Sequence, residues 1–398
     1  MSVRKRVWTT PKGEEKSAWV VDYVDAKGKR RLKSFKLKKQ ADAFAATASV
    51  EVREGTHVAD SASATVAQAG AFWIASGENA GLERSTVNQR RRHLRLHIEP
   101  LLGATLLSRL LVPVIRSFED DLRAAGVSAA MVRKVLVSLG GILADAQERG
   151  LVAKNPVRDM RARRGSSERR AEKRQKGKLK VGEDIPTPAE VRAIVEAASG
   201  RWRPLLLTAI FAGLRSSELR GLRWEDVDLD RRLLHVRQRA DEFGAIGRPK
   251  SEAGEREIPL PPIVVNTLRE WRLACPKGPL NLVFPNGAGN VENQKNILRR
   301  GLQPVQVKAG VCVPTGEIAE DGTPIMAAKY GGLHALRHFY ASWCINRPQD
   351  GGLGLPLKVV QARMGHSSIT MTADVYGHLF PRADDADEMA AAERALLG

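Results

Sequence analysis

A short basic segment divides this chain and constrains its folding more than any other feature. Residues 161–180 carry ten Lys and Arg against two acids, Glu168 and Glu172, with almost no apolar side chain. A segment with so little apolar surface cannot form a core, which predicts a flexible linker, 161–186, able to lie against phosphates. A linker that is merely solvated is the alternative. Globular patterning resumes on both sides, so we predict several domains.

The charge of the chain indicates a polyanionic partner. The 398 residues contain 64 Lys and Arg against 45 Asp and Glu, a formal net charge of +19. A strongly basic balance favours nucleic acid, and a ribosomal or RNA-binding protein fits the charge as well as a DNA-binding one. The scattered cysteines Cys275, Cys312 and Cys344 form no C-x-x-C pair, which indicates neither a zinc site nor a disulfide framework.

Nothing in the sequence predicts a membrane segment. The basic start Met1–Arg6 is not followed by an apolar core, and no apolar run approaches the roughly 20 residues that span a bilayer. We therefore expect no signal peptide, no membrane contact and a reducing cytoplasmic setting, at the bacterial nucleoid if DNA is the partner.

Residues 1–60 predict a small β-rich module. Residues 17–24 have the β-branched and aromatic content of a strand, residues 29–36 alternate, and residues 38–54 favour a helix. This stretch holds 14 Lys and Arg against 8 Asp and Glu. A basic hairpin packed on one helix can lay a β-ribbon into a DNA groove. A small domain with a solvated charged face is the alternative.

Residues 61–160 predict an all-helical domain. Amphipathic segments cover 65–76, a helix capped by Ser85 and running to 98, 112–125 and 128–149. The second of these segments carries four arginines suited to phosphate contacts: Arg90, Arg91, Arg92 and Arg95.

The C-terminal region predicts a third domain, 187–382, that is mainly helical with a few strands. Thr187-Pro188-Ala189-Glu190 has the cap, Pro and acid of a helix start. We expect Lys250 at the tip of a hairpin between strands near 233–238 and 256–260. Residues 309–329 predict a polar, turn-rich insertion that either faces DNA or is idle. The tail 383–398 predicts a short amphipathic helix.

Two stretches of this region carry residues suited to phosphodiester chemistry. Leu333–Tyr340 holds a His and an Arg one helical turn apart, and Met364–Tyr376 holds a second His and a Tyr. With an Arg and a Lys upstream, the candidate set is Arg215, Lys250, His334, Arg337, His366 and Tyr376. Such a set can attack a phosphodiester without a metal or cofactor.

Each candidate also has a structural interpretation. Arg215 could cap a helix C-terminus, Arg337 could form a surface ion pair, and Tyr376 could be a packing residue. Tyr340 is on the apolar face of its helix and is interpreted as core. Tyr330 precedes two glycines and stays open as an alternative nucleophile.

The motifs resemble those of the tyrosine recombinases, also called the phage integrase family. Ala212–Leu219 resembles the first box of the family, His334–His338 its H-x-L-R-H box, and Gly365–Thr370 with Tyr376–His378 its final box. By this resemblance, 187–382 would be the catalytic domain, 61–160 a helical core-binding (SAM-like) domain, and 1–60 the arm-site DNA-binding module.

The resemblance also implies a role for each residue. Tyr376 would be the nucleophile that forms a 3′-phosphotyrosyl link, and Arg215 and Arg337 would clamp the phosphate oxygens. Lys250 would protonate the leaving 5′-oxygen. His334 would assist proton transfer at Tyr376, and His366 would bond the phosphate. Glu218 would support Arg215, whereas His338 and His378 are interpreted as neighbours.

We therefore expect a site-specific DNA recombinase that works through a Holliday junction. Four protomers would act on core and arm sites in double-stranded DNA, integrating and excising a mobile element or prophage. By resemblance, a host DNA-bending protein and a directionality factor are further partners, and the terminal helix would dock on a neighbouring subunit or pack in cis.

Three alternatives stay open at this stage. A topoisomerase IB-like enzyme would nick and reseal one duplex with the same chemistry. A DNA-binding regulator with an idle site would keep only the binding, although the intact residue set argues against it. A metal-dependent nuclease would need clustered carboxylates, which do not accompany the motifs.

Overall fold

The computed structural model describes residues 1–380, except 12, 26–27, 55–58, 60–62 and 164–177, together with residues 386–397. Most of the predicted linker and the start of the predicted tail lie outside the described residues. The chain forms two compact units, Met1–Gln175 and Lys176–Gly398. Among the described residues, no helix has the length and apolar character needed to cross a membrane.

The first unit opens with a three-stranded antiparallel sheet packed on one helix. The strands, in the order β1-β2-β3, are Ser2–Thr9, Glu15–Val24 and Arg30–Phe35, and the helix is α1, Lys38–Arg53. A small core of Val21, Tyr23 and Ala41 lies between sheet and helix. The sequence does not predict strand β1, because Arg and Lys interrupt the alternation of apolar and polar residues along it.

The rest of the first unit is helical, as expected. Its helices are α2 Val66–Asn79, α3 Arg84–His93, α4 Glu99–Leu102, α5 Val112–Ala124, α6 Ala129–Glu148 and α7 Pro156–Arg163, with a π-helical turn at Leu94–Ile98. Helix α3 begins two residues earlier than predicted, because Glu83 and not Ser85 occupies its N-cap position.

The four arginines of this helical segment do not form one uniform surface. The Arg90 guanidinium stacks 4.2 Å from the Trp73 ring centre and donates to the Trp73 carbonyl, and Arg91 pairs with Glu78. Arg90 and Arg91, two of the four arginines predicted to contact phosphate, therefore have partners within the protein. Arg92 and Arg95 are exposed.

The second unit is a helical domain with three small sheets. Its helices are α8 Pro188–Ala197, α9 Trp202–Ala212, α10 Ser216–Gly221, α11 Pro262–Ala274, α12 Gln294–Asn296, α13 Gln303–Lys308, α14 Leu333–Ile345, α15 Leu357–Met364, α16 Ile369–Tyr376 and α17 Ala386–Leu397, with a π-helical turn at Ile297–Leu302. Its strands are β4 Val227–Asp228, β5 Leu233–Val236, β6 Arg239–Ala240, β7 Ile246–Gly247, β8 Arg256–Pro259, β9 Cys312–Ile318 and β10 Pro324–Ala328. The predicted fold class, a β-rich module, a helical domain and a mainly helical α+β domain, is confirmed.

Helix α9 lies at the centre of the second unit's core. Eight of its eleven residues are buried, and it packs against α11 and α14. It ends at Gly213, whose positive φ of 58° suits glycine. A Cβ there would lie 2.2 Å from the Tyr340 ring, so the α9–α14 contact also requires a residue without a side chain.

Three sequence predictions for this unit need correction. Packing begins before 187, because Ile185, in the predicted linker, is fully buried. Lys250 lies in the connection between β5 and β8, which pair as expected, but the ribbon β6–β7 with its tip at 241–245 precedes it there, so Lys250 is not at a hairpin tip. The insertion is an antiparallel hairpin, β9–β10, whose register shifts between Pro324 and Met326 and which exposes several apolar side chains. The predicted turn residues form a turn only in the connection near Gly322.

Candidate active site

The site is built around the C-terminus of helix α15. Three successive carbonyls at this end each accept a hydrogen bond from a different arginine. Arg256 Nε donates to the Arg363 carbonyl at 2.8 Å, Arg337 donates to the Met364 carbonyl, and Arg215 donates to the Gly365 carbonyl at 2.8 Å. The last carbonyls of a helix lack intrahelical partners and carry partial negative charge, so they hold guanidinium groups well.

Gly365 makes this arrangement possible. It ends α15 in the left-handed conformation, with φ of 60°. A Cβ at this position would lie 2.8 Å from the Arg256 guanidinium and 2.9 Å from the Ala253 carbonyl. Gly365 therefore caps the helix, and its lack of a side chain leaves room for the Arg256 guanidinium beside the backbone.

Glu218 joins two of the arginines. Its carboxylate accepts from Arg215 at 2.7 Å and from Arg256 at 2.8 Å, and it also accepts from the backbone N–H of Arg215, the N-cap residue of α10. Burial by itself would raise the pKa of Glu218, but the pairs with Arg256 and Arg215 lower it to about 2. The predicted support of Arg215 by Glu218 is present in the structure.

Arg337 is the most deeply buried of the three arginines. The residue is 2% exposed, and its guanidinium donates to the Gly213 carbonyl at the end of α9 as well as to the Met364 carbonyl of α15. Burial, helped by the nearby Arg215, lowers the pKa of Arg337 to about 9, so the group is still cationic at neutral pH. The alternative of a surface ion pair is wrong for this residue.

Tyr376, at the end of α16, lies near Arg337 and Arg215 and is 2% exposed. Burial raises its pKa to about 12, although Arg337 and Arg215 act in the opposite direction. The phenol oxygen lies 2.7 Å from His338 Nδ1. Sequence reasoning had assigned this contact to His334, and the structure places His338 there.

The other two histidines frame the tyrosine. The His366 ring stacks parallel to Tyr376 at 6.2 Å between centres, and its Nδ1 lies 2.9 Å from the buried Thr372 hydroxyl. Burial, with the charges of Arg337 and Arg215, lowers the pKa of His366 to about 4. His334 is exposed and meets the His338 ring edge-on at 4.5 Å. Desolvation and the same two arginines lower its pKa too.

Lys250 reaches the same site from a different element. It lines a concave pocket together with Arg215, Ser217, Arg239 and Ser367, among others. The structure therefore brings five predicted residues into one cluster, Arg215, His334, Arg337, His366 and Tyr376, and places Lys250 on the wall of the adjoining pocket.

The other candidate tyrosine has a structural role. Tyr330 is 3% exposed, and its hydroxyl donates to Glu190 at 2.7 Å. Burial and this carboxylate raise the pKa of Tyr330 far above its ordinary value. Tyr340 is likewise buried, as predicted. In the part of the chain that the structure describes, no group of three or more His, Cys, Asp or Glu side chains could hold a metal ion.

Sequence reasoning missed four residues of the site, and one of them had a usable signal. His338 lies four residues after His334 on a predicted helix, a spacing that places both rings on one face. The other three residues had no comparable signal. Arg239 and Arg256 come to the site from separate strands, and Thr372 acts by orienting the His366 ring.

The chain is similar to known proteins over most of its length. The model of the phage integrase family matches residues 186–382. A protein described as a XerC-like tyrosine recombinase, from Caldanaerobacter subterraneus subsp. tengcongensis, is 26% identical over 387 residues, which cover 90% of each chain.

Two solved structures share the fold. The integrase of transposon Tn1549, in complex with a circular intermediate DNA, has a TM-score of 0.61 at 22% identity and covers 83% of this chain and 99% of that one. The λ integrase tetramer bound to a Holliday junction has a TM-score of 0.53 at 17% identity, covering 92% and 96%.

Proposed function

Because this chain belongs to the phage integrase family of tyrosine recombinases, site-specific enzymes that break and rejoin DNA, we propose that it integrates and excises a mobile element or prophage. Its substrate is double-stranded DNA. The observation that carries the proposal is the cluster of a buried tyrosine, two arginines and a histidine around the end of α15.

In the proposed reaction, the Tyr376 oxygen attacks a phosphorus of the DNA backbone. A bond forms between phosphorus and the phenol oxygen, and the bond from phosphorus to the 5′-oxygen breaks, which leaves a 3′-phosphotyrosyl link. Lys250 gives a proton to the departing 5′-oxygen. The link keeps the energy of the broken phosphodiester, so the 5′-hydroxyl of another strand can reverse the step without an added energy source.

Arg215 and Arg337 clamp the non-bridging oxygens in this proposal. Carbonyls and Glu218 already hold both guanidinium groups, so they need little rearrangement when negative charge grows in the transition state. Preorganised donors of this kind typically contribute about 10²–10³-fold each.

His366 would donate to a phosphate oxygen, and His334 would lie beside the His338 ring. If the Thr372 hydroxyl donates to His366 Nδ1, the neutral ring carries its proton on Nε2, the nitrogen that can donate to phosphate. The low pKa of His366, about 4, keeps the free site neutral at this position.

We propose four protomers on paired core sites, exchanging strands through a Holliday junction, with the N-terminal module on separate arm sites. The basic three-stranded sheet supports the arm-binding part, because β1 is exposed along nearly its whole length. A host DNA-bending protein and a directionality factor belong to the same proposal, as does a position at the bacterial nucleoid.

A second candidate function is the resolution of joined replicons, without integration. The match of the XerC-like protein over 90% of both chains favours it. The two functions share the chemistry and differ in the DNA on which the protein acts, so a test of chemistry does not separate them.

Covalent trapping tests the chemistry. The protein is mixed with DNA from the ends of its own element, nicked near candidate crossovers so that the cut fragment diffuses away, in the presence of chelator. We expect an adduct on a denaturing gel that Tyr376→Phe abolishes and Tyr330→Phe retains. Bound DNA without an adduct would support an idle regulator, and an adduct with Tyr376→Phe would show that the nucleophile is wrongly assigned.

A plasmid assay tests the biological reaction. Two compatible plasmids carry the attachment regions, either with or without the flanking arm sequences. Joining that requires the arms and residues 1–60 supports integration. Efficient recombination of two short identical core sites by a chain without residues 1–60 would favour resolution, and relaxation of any supercoiled plasmid would favour a topoisomerase.

A further inference from the structure

We propose that His338 is the base that takes the Tyr376 proton during cleavage and returns it when the strand is rejoined. The proposal rests on the proposed function, since it assigns a role within the same reaction. It departs from the sequence analysis, in which His334 held this role and His338 was a neighbour.

The contact between His338 and Tyr376 is direct. His338 Nδ1 lies 2.7 Å from the phenol oxygen, a normal length for a hydrogen bond between oxygen and nitrogen. The two residues are 38 positions apart, His338 within α14 and Tyr376 at the end of α16. Within the described residues, the Tyr376 hydroxyl hydrogen-bonds to His338, whereas His334 contacts the His338 ring edge-on.

His338 is neutral in the free enzyme, as a base must be. Its partial burial, followed by the effects of His334 and Arg337, lowers its pKa to about 4, while Asp184 acts in the opposite direction. Among the described residues, His334 and Tyr376 contact the ring, and Arg337 and Asp184 act on it through their charges. A neutral ring with its proton on Nε2 leaves the Nδ1 lone pair directed at the phenol O–H.

DNA entry changes this electrostatic balance in a favourable direction. A bound phosphate places negative charge against Arg215 and Arg337, which offsets the repulsion that Arg337 exerts on protonated His338. The imidazole therefore becomes a stronger base when the substrate is in place. In the free site, burial together with His334 and Arg337 suppresses protonation of His338, so the base is not occupied before DNA arrives.

The proton balance of the step is complete. The phenol proton moves to His338 Nδ1 as the Tyr376 oxygen bonds to phosphorus, and the imidazole becomes imidazolium. The 5′-oxygen leaves with a proton from Lys250. On rejoining, a 5′-hydroxyl gives its proton to Lys250, attacks phosphorus and displaces the phenol oxygen, which recovers its proton from His338.

His338→Asn is the discriminating variant. An Asn side chain can place a hydrogen-bonding atom near the position of Nδ1, so it can hold the phenol in place but cannot take up its proton. The control is His378→Gln. His378 is the other motif histidine without an assigned role, and it bonds the Leu179 carbonyl through Nε2, which the Gln amide can replace. DNA binding by gel shift confirms that each variant is folded.

The readout is the single-turnover rate of adduct formation on nicked DNA between pH 6 and pH 9. We expect the wild type and His378→Gln to have nearly flat profiles. His338→Asn should be about 10²–10⁴-fold slower at pH 7, the usual range for a lost general base, and its rate should rise with pH as hydroxide replaces the base.

A substrate with a bridging 5′-sulfur separates the two proton transfers. Sulfur leaves without needing a proton, so this DNA should restore Lys250→Ala but not His338→Asn. If His338→Asn binds DNA poorly, His338→Ala with added imidazole replaces it, and we expect added imidazole to raise its rate.

Three results would overturn the proposal. They are a His338→Asn rate within threefold of the wild type with the same pH profile, rescue of that variant by the sulfur substrate, or the pH-dependent loss appearing in His334→Asn instead. Failure of the proposed function is recognised separately, because the wild type would then form no adduct at all.

Discussion

The two halves of the active-site cluster are stabilised in opposite ways. In the arginine half, Arg215, Arg256 and Arg337 are charged, and Glu218 and backbone carbonyls hold them. In the tyrosine half, the side chains are uncharged, lie against one another as rings, and are joined by single hydrogen bonds. Those side chains are His334, His338, His366 and Tyr376.

This difference indicates a division of labour. The charged half is fixed before DNA binds, so it is suited to holding a phosphate in one position. The neutral half contains groups whose protons can move, because burial and nearby positive charge keep the rings of His338 and His366 unprotonated. Changes in the first half should therefore reduce both stability and rate, whereas changes in the second should act mainly on rate and its pH dependence.

The largest effect should come from Tyr376→Phe. Loss of the nucleophile should lower the cleavage rate by at least about 10⁴-fold, as for other covalent catalysts, while DNA binding is retained. The matched change Tyr330→Phe removes a buried hydrogen bond to Glu190, so it should cost about 1–3 kcal/mol in unfolding free energy and leave cleavage intact. Single-turnover assays and thermal unfolding give both quantities. The reverse pattern in the two variants would contradict the assignment.

Arg337→Lys should show that the arginine half contributes both to stability and to the cleavage rate. A lysine keeps the charge but cannot bond the Gly213 and Met364 carbonyls and the phosphate together. We expect the cleavage rate to fall by about 10²–10³-fold and stability to fall by roughly 2–4 kcal/mol. Arg215→Lys is the control: its side chain is 35% exposed, so it should lose rate with a smaller loss of stability. Equal stability losses would remove this distinction.

Glu218→Gln should destabilise the arginine half without touching DNA. Removal of one partner of a buried ion pair leaves Arg256 unpaired and typically costs about 3–5 kcal/mol. Adding Arg256→Met should recover part of this loss, and chemical denaturation of the four proteins of the cycle measures the coupling. Strictly additive losses would show that the pair is not coupled.

The same carboxylate should make stability depend on acid. The pKa of Glu218 is about 2 in the folded protein, against 4.5 for a free side chain. The folded state thus binds this proton more weakly, so the stabilisation is complete above pH 4.5 and is lost as the pH falls towards 2. This loss amounts to roughly 3 kcal/mol, and it should be missing in Glu218→Gln. Denaturation midpoints measured across this range test it.

The smallest effect should come from Thr372→Val, in the neutral half. Without the hydroxyl, His366 loses the hydrogen bond that orients its ring and selects its tautomer. We expect cleavage to slow by about tenfold or less, the equivalent of one neutral hydrogen bond, with little change in DNA affinity. Slowing as severe as that of His366→Ala would mean that Thr372 does more than orient the ring.

Local structure was predictable where the signal is local. The start of α8 at Thr187-Pro188, with its acid at Glu190, is confirmed as a capping box, because cap residues satisfy donors within one turn. Helices α11 and α14 each bury one apolar face, the pattern that marks an amphipathic helix in a sequence. Strand β1 and the β9–β10 hairpin were not predicted, because pairing across strands depends on partners that periodicity within one strand does not reveal.

The sequence by itself determined the family, the fold class and the six candidate residues, because the motifs place particular side chains at fixed spacings along single elements. The tertiary structure decided which of these groups touch. In the structure His338, and not His334, hydrogen-bonds to the Tyr376 hydroxyl. Arg256 pairs with Glu218, although the two residues are 38 positions apart. Such contacts join separate helices and strands, and their geometry follows from how those elements pack, which spacing within one element does not encode.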